Sequence, residues 1–168
     1  MDSKPEMAFF KGAFDIVCPL IKNDGLALVE VTAKSTHRHR KAVETLARYF
    51  KREEDYDFLQ YTAAEKDPID IAFLWTPPET AGLTGLIVPC VGACCFRKEE
   101  TWRLDWVWIH PFCRRRKLLT GAWPKFKEQF GEFDIEPPLS EAMEKALEKL
   151  GHPQKKLKSR NRCIKIGA

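Results

Sequence analysis

The segment that most constrains the fold is WVWIHPFCRRRKLLTGAW, residues 106–123. An alternating aromatic and aliphatic run leads to Pro111, four consecutive cations occupy 114–117, and an amphipathic segment then begins at Leu118. This order predicts a buried strand, a stop at the proline, a cationic turn and the start of a helix. A helix that starts just after a strand presents unpaired N–H groups and a partial positive charge. We therefore expect a phosphate or pyrophosphate to bind at this turn.

Composition favours a single folded domain with an anionic partner. The chain has 168 residues, of which 44% are hydrophobic, enough to form a core and to exclude global disorder. The formal net charge is +4, and the cations cluster at 114–117 and 155–162. Such clusters suit a phosphorylated ligand or a nucleic acid.

The sequence also indicates a cellular setting. It has no apolar run of about 18 residues, so no transmembrane helix is expected, and its first residues do not resemble a signal peptide. We expect a cytoplasmic protein whose six cysteines are reduced thiols. The spacing of the cysteines and histidines fits no standard zinc site, so no bound metal is predicted.

Periodicity predicts a mixed α/β (α+β) domain over 1–152 and a basic C-terminal tail over 153–168. Residues 1–24 contain one apolar segment, AFDIVCPLI, that suits a strand or an extended arm. Strands are predicted over 26–33, 55–63, 70–76, 86–98, 101–111 and 133–136, and helices over 35–53, 117–129 and 141–150. We expect one mainly antiparallel sheet with helices on both faces.

The segment WIHPFCRRRKLLTGAW resembles motif A of the GCN5-related N-acetyltransferase (GNAT) superfamily, and the resemblance extends over roughly residues 86–150. In that motif a strand ends near a proline, and the turn runs Arg or Gln, two variable residues, Gly, one variable residue, and Gly or Ala. Arg114 stands at the first position of the pattern. Lys117 and Leu119 stand where the family has its two small residues.

One branch of the superfamily, the sister-chromatid cohesion acetyltransferases, also carries lysine at the first glycine position, in an Arg-Arg-Lys-Lys-Ile-Ala type of turn. The segment RRRKLLT is similar to it, and DIEPPLSEAMEKAL is loosely similar to a Ser-Asp-Pro-Thr-like segment of that branch. The zinc finger of the branch has no match in this sequence.

The resemblance implies transfer of an acetyl group from acetyl-coenzyme A to a primary amine, such as that of a protein lysine. It places the oxyanion-stabilising backbone N–H near the end of the motif A strand, at 108–110. The residues that it assigns to acetyl-coenzyme A are Trp108, Ile109, Arg114, Arg115, Arg116, Lys117, Leu118, Leu119 and Thr120.

Three residues are candidates for the base that removes the amine proton: Glu136, His110 and Asp105. Each has a plainer interpretation. His110 could simply end the strand and bond the backbone, and Glu136 could be a surface carboxylate. Asp105 lies in the aromatic strand, where strict alternation places it on one face with Arg103, Val107 and Ile109, opposite Trp102, Leu104, Trp106, Trp108 and His110.

An alternative hypothesis comes from a different functional class. The basic clusters at 114–117 and 155–162 could belong to a non-catalytic module that binds a nucleic acid or a protein partner. Only an acyltransferase is expected to bind acetyl-coenzyme A, so this ligand discriminates between the two hypotheses. The sequence predicts neither the identity of the acceptor nor an oligomeric state.

Overall fold

Seven strands and three α-helices make up the part of the chain that the computed structural model describes, residues 16–65 and 69–152. The strands are β1 (Leu20–Asp24), β2 (Leu28–Val31), β3 (Asp70–Trp75), β4 (Thr84–Pro89), β5 (Gly92–Lys98), β6 (Trp102–Ile109) and β7 (Asp134–Ile135). The helices are α1 (His37–Glu54), α2 (Leu118–Phe130) and α3 (Glu141–Leu150), with single 3-10 turns at Pro78–Thr80 and Pro111–Cys113. The predicted tail, 153–168, lies outside the described residues.

The main sheet has five strands in the order β2-β3-β5-β6-β7. All neighbouring strands in it are antiparallel except β6 and β7, which are parallel. β1 and β4 form a separate antiparallel pair. α1 packs against one face of the main sheet, and α2 and α3 pack against the other. The prediction of a mainly antiparallel sheet with helices on both faces is confirmed.

The helices begin and end close to the predicted positions because their caps can be read from the sequence. The Thr36 side chain accepts a hydrogen bond from the His39 N–H at the start of α1, and Ser140 accepts one from Met143 at the start of α3. Gly151, with φ of 61°, ends α3 in the left-handed conformation that glycine adopts without strain.

The strand predicted over 55–63 is wrong. Asp55 ends α1 with φ of 57°, and the chain then folds back along the helix without pairing to any described strand. Glu44 accepts a hydrogen bond from the Ala63 N–H at 2.8 Å, and Arg40 donates to the Ala63 carbonyl. Tyr56 and Tyr61 are buried in this segment although it forms no strand.

The single strand predicted over 86–98 is two strands in different sheets. Pro89 ends β4 because proline has no N–H to donate to the ladder. The next two N–H groups leave the β4 ladder: Cys90 donates to Pro19, and Val91 donates to Trp75. β5 therefore enters the main sheet, whereas β4 stays with β1.

Strict alternation along β6 is also wrong, because a β-bulge interrupts the strand. Trp106 pairs with Cys95 and Leu104 pairs with Phe96, so Asp105 is the extra residue of the bulge in the register with β5. The bulge reverses the faces of the strand beyond it. Trp106 and Trp108 pack with α1, whereas Leu104, Val107 and Ile109 belong to the cluster under α2 and α3.

Five of the six cysteines lie in the described part of the chain, and all five are free thiols. Cys90, Cys94 and Cys95 are buried core residues, and burial raises the pKa of Cys94 and Cys95 well above the ordinary thiol value. None of the helices in this part is long and apolar enough to cross a membrane.

Candidate active site

A cleft opens where the two parallel strands β6 and β7 separate. They pair only at Arg103 with Asp134 and at Leu104 with Ile135, and the Glu136 N–H then donates to the Leu104 carbonyl at 2.9 Å. β7 ends there, while β6 continues to Ile109. The residues that line the cleft come from the end of α1 and the segment after it, from β6 and β7, and from α3 with the connection before it: Phe50, Glu54, Tyr56, Leu104, Asp105, Trp106, Val107, Ile135, Glu136, Pro138, Leu139, Ser140 and Met143.

The cleft exposes an edge of β6 that no described strand pairs with beyond Leu104. The His110 N–H donates to the Val91 carbonyl at 2.8 Å, on the side of β5. Since successive residues of a strand direct their backbone groups to opposite edges, the N–H groups of Ile109 and Val107 face the cleft side. The Ile109 carbonyl confirms this direction, because it accepts a hydrogen bond from Arg114 Nε on that edge. An extended ligand with amide groups can pair with such an edge.

The turn after β6 takes two residues into the left-handed region. The His110 ring accepts a hydrogen bond from the Phe112 N–H at 3.1 Å and so caps the short turn Pro111–Cys113. Arg115 and Lys117 then have φ of 63° and 60°. Lys117, at the first glycine position of the motif, therefore has a backbone conformation that favours glycine, at a cost of about 1–2 kcal/mol for a residue with a Cβ.

The start of α2 has unpaired backbone donors. Lys117 precedes the helix, and neither its side chain nor an acidic residue in the first turn of α2 caps it. The Gly121 N–H makes the first helical bond, to the Lys117 carbonyl at 2.8 Å. The preceding N–H groups, at 118–120, point out of the helix end and form a cradle suited to an anion.

The four cations of the turn divide into two kinds. Arg114 folds back onto the protein, where it donates to Glu53 at 2.6 Å and to the Ile109 carbonyl at 2.8 Å. Arg115, Arg116 and Lys117 are exposed, and none of them forms an ion pair with a carboxylate in the described ranges. Three of the cations are thus available to an anionic ligand, and the first holds the turn against α1.

Two of the predicted base candidates meet in the cleft. Asp105 and Glu136 both line it, and their side chains are only 12% and 7% exposed. Glu136 forms an ion pair with Arg103. Asp105 lies 3.9 Å from Arg97, which makes a two-pronged hydrogen bond to Asp70 at 2.8 and 3.0 Å. The bond to Asp70 raises the pKa of Arg97, so this guanidinium stays charged beside Asp105.

His110, the third candidate, lies outside the cleft lining. Its ring is buried, and its Nδ1 is occupied by the Phe112 N–H. Burial lowers the pKa of His110, and the nearby Arg114 lowers it further, so the imidazole is neutral at pH 7. The structure gives His110 a capping position and does not bring it to the carboxylates.

Glu54 and Tyr56 line the cleft but were not among the predicted site residues. Glu54 could have been noticed in the sequence, because an acidic residue at the C-terminal end of a helix interacts unfavourably with the helix dipole. Tyr56 was assigned to a strand that does not form. Trp106 was placed on the wrong face because the bulge at Asp105 leaves no mark in the sequence pattern.

Comparison with known proteins identifies similar folds only through solved structures. No known family profile and no curated protein sequence matches the chain. The xEco2 acetyltransferase domain bound to a K105-CoA conjugate is similar, with a TM-score of 0.57 and 12% identity over 86% of this chain and 100% of that chain. A ribosomal-protein-alanine N-acetyltransferase from Brucella melitensis biovar Abortus 2308 has a TM-score of 0.47 and 14% identity over 79% of this chain and 95% of its own. The first of these likenesses shows a common fold.

Proposed function

We propose that this chain, which has the fold of the GCN5-related N-acetyltransferases, transfers an acetyl group from acetyl-coenzyme A to a primary amine. The fold itself is the one that the resemblance of residues 86–150 predicted. The observation that carries the proposal is the cleft between β6 and β7. An open edge of β6 and two carboxylates lie at the cleft, and β6 continues from it through the cationic turn to the start of α2.

The described residues fit the chemistry of acetyl-coenzyme A. Its pantetheine arm contains amides, which suit the strand edge at Ile109. Its pyrophosphate suits the N–H groups at 118–120 and the exposed side chains of Arg115, Arg116 and Lys117. Arg114 and Trp108 contribute indirectly, because both donate to the Glu53 carboxylate and so fix the turn to α1.

The acceptor amine would enter beside the C-terminal end of α1, because Phe50, Glu54 and Tyr56 line the cleft there. Asp105 is the base that we assign, because it sits at the bulge on the α1 face and carries a carboxylate into the cleft. It would take the proton of the ammonium, directly or through water. Glu136 already neutralises Arg103 and would position the wall of the cleft.

In the transfer step the amine nitrogen bonds to the acetyl carbon, the carbon–sulfur bond breaks, and the thiolate leaves and takes up a proton. Negative charge develops on the carbonyl oxygen during the attack. We assign its stabilisation to the Val107 N–H, which lies on the open edge two residues after Asp105 and one residue before the range 108–110 that the resemblance implied. Such a donor lowers a barrier by about 3–4 kcal/mol.

The test is release of the coenzyme A thiol from acetyl-coenzyme A in the presence of lysine-containing peptides and simple alkylamines. We expect amine-dependent release, with acetylation of the peptide lysine detected by mass spectrometry. Asp105→Asn should reduce kcat by about 100-fold or more, in the range for general bases, and leave acetyl-coenzyme A affinity unchanged. Amine-independent release alone, or no release with any amine, would count against the proposal.

A further inference from the structure

Trp106 lies in the wall of the cleft with a buried hydrogen-bond donor that has no acceptor. The residue is 3% exposed, and its Nε1 has no hydrogen-bond partner in the described part of the chain. A buried polar group left unpaired costs about 1–3 kcal/mol, so it calls for an explanation. Its position one residue after the bulge, among the lining residues, suggests that the missing partner is a ligand.

Trp108, two residues further along the same face, shows what the fold does with an indole that serves structure. Its Nε1 donates to Glu53 at 2.7 Å. No equivalent carboxylate bonds Trp106, although Glu54, Asp105 and Glu136 line the same cleft. The Trp108 indole thus holds α1 to the sheet, whereas the Trp106 indole N–H makes no hydrogen bond in the described residues.

The chemistry of the indole limits what the ligand can offer. An indole N–H donates and never accepts, so it cannot bond an ammonium and requires an oxygen with a free lone pair. The carboxylates of the cleft are the natural partners of the cationic amine. Trp106 therefore suits a second group of the same molecule, close to the amine.

Trp106 also faces the side of the sheet from which an acceptor would come. Its ring packs with Phe50 of α1, with centroids 5.7 Å apart, whereas the cationic turn leads into α2 on the opposite face. Because Nε1 is shielded from solvent, a ligand must part the side chains that cover it. We propose that the Trp106 indole N–H binds an amide carbonyl oxygen of the acceptor, which makes a peptide-borne amine the preferred substrate class. This inference rests on the proposed acetyl transfer.

The experiment compares two conjugates by calorimetry. In one, coenzyme A is joined through an acetyl spacer to the side-chain amine of Nα-acetyl-lysine methylamide. In the other, the same spacer is joined to n-butylamine, which has the four-carbon chain but no carbonyl. The wild-type protein should bind the lysine conjugate about tenfold more tightly, and Trp106→Phe should bind the two conjugates equally.

Trp123→Phe is the matched control. Trp123 is also buried with an unpaired Nε1, but it packs against Phe133 and His152 and does not line the cleft. This variant should keep the tenfold preference. Trp106→Phe and Trp123→Phe both remove buried volume, so the urea midpoint of each should fall by a similar, modest amount and both variants should remain folded. Equal binding of the two conjugates by the wild type, or a preference that survives in Trp106→Phe, would overturn the inference. Absence of binding by either conjugate would instead mean that the proposed acetyl transfer itself is wrong.

Discussion

Arg103 and Glu136 form an ion pair at the closed end of the cleft. The pair connects β6 to the residue that follows β7. Their side chains are 14% and 7% exposed. The pair sits next to the last backbone bond between the strands, from Glu136 to Leu104. It therefore marks the point from which the two strands separate.

Breaking this pair from either side should be costly. Arg103→Met or Glu136→Gln leaves a buried partner without its counter-charge, and we expect each to lower the free energy of unfolding by about 3–5 kcal/mol. The double variant should be less destabilised than the sum of the two. Urea unfolding of all four proteins measures the coupling, and strictly additive losses would show that the two side chains do not depend on one another.

Glu44 should make stability depend on pH in the acid range. Burial raises the pKa of Glu44, but hydrogen bonds from the Ala63 N–H, Lys41 and Arg48 outweigh it and lower the pKa to about 2. A carboxyl with a depressed pKa stabilises the fold above its unfolded pKa, and that contribution is lost as the pH falls through the range from about 4.5 to 2.

Glu44→Gln should therefore be less stable than the wild type at pH 7, and the difference should shrink as the pH approaches 2. Urea unfolding at several pH values follows this difference. Glu128→Gln, at an exposed site on α2, serves as the control and should match the wild type throughout. A Glu44→Gln deficit that stays constant down to pH 2 would contradict the assignment.

Much of the fold could be predicted because its signals are local. The caps at Thr36 and Ser140, the glycine stop at Gly151 and the strand-to-helix order around 106–123 all depend on neighbouring residues. The fold expected from that order is the fold shared with the xEco2 domain.

What could not be predicted depends on contacts between distant segments. The segment 55–63 has the aromatic residues and length of a strand, yet Tyr56 and Tyr61 are buried beside a helix that holds Ala63 through Arg40 and Glu44. The bulge at Asp105 is defined only by its register against β5, so the face of Trp106 was assigned wrongly. The inward turn of Arg114 depends on Glu53, 61 positions away in the chain.

Arg114 and Arg116 should respond differently to alanine. Arg114→Ala removes the bonds to Glu53 and Ile109 and should lower the free energy of unfolding by about 1–3 kcal/mol. Arg116→Ala changes an exposed side chain and should leave stability within about 0.5 kcal/mol. It should instead weaken acetyl-coenzyme A binding by about 1.5–3 kcal/mol. Unfolding and calorimetric titration of both variants separate the two roles, and an Arg116→Ala protein of full affinity would remove this side chain from the site.

Lys117→Gly should separate backbone strain from charge. Glycine relieves the left-handed backbone at this position, so stability should hold or rise. If the ammonium contacts a phosphate, the same change should weaken acetyl-coenzyme A binding by about 1.5–3 kcal/mol. Arg115→Gly, at the other left-handed residue of the turn, is the natural comparison. Unchanged or tighter binding by Lys117→Gly would mean that the backbone alone holds the pyrophosphate.

The most direct measurement is a calorimetric titration of acetyl-coenzyme A into the wild type, Lys117→Glu and Lys34→Glu. Both variants change the net charge equally. Leu28, at the start of β2, lies in the same row of the sheet as Ile109, which precedes the cationic turn. Lys34 follows the other end of β2 and therefore lies at the opposite end of the sheet. The account predicts binding by the wild type and by Lys34→Glu, and a loss of at least about tenfold in affinity for Lys117→Glu. No binding by the wild type, or equal binding by all three proteins, would contradict it.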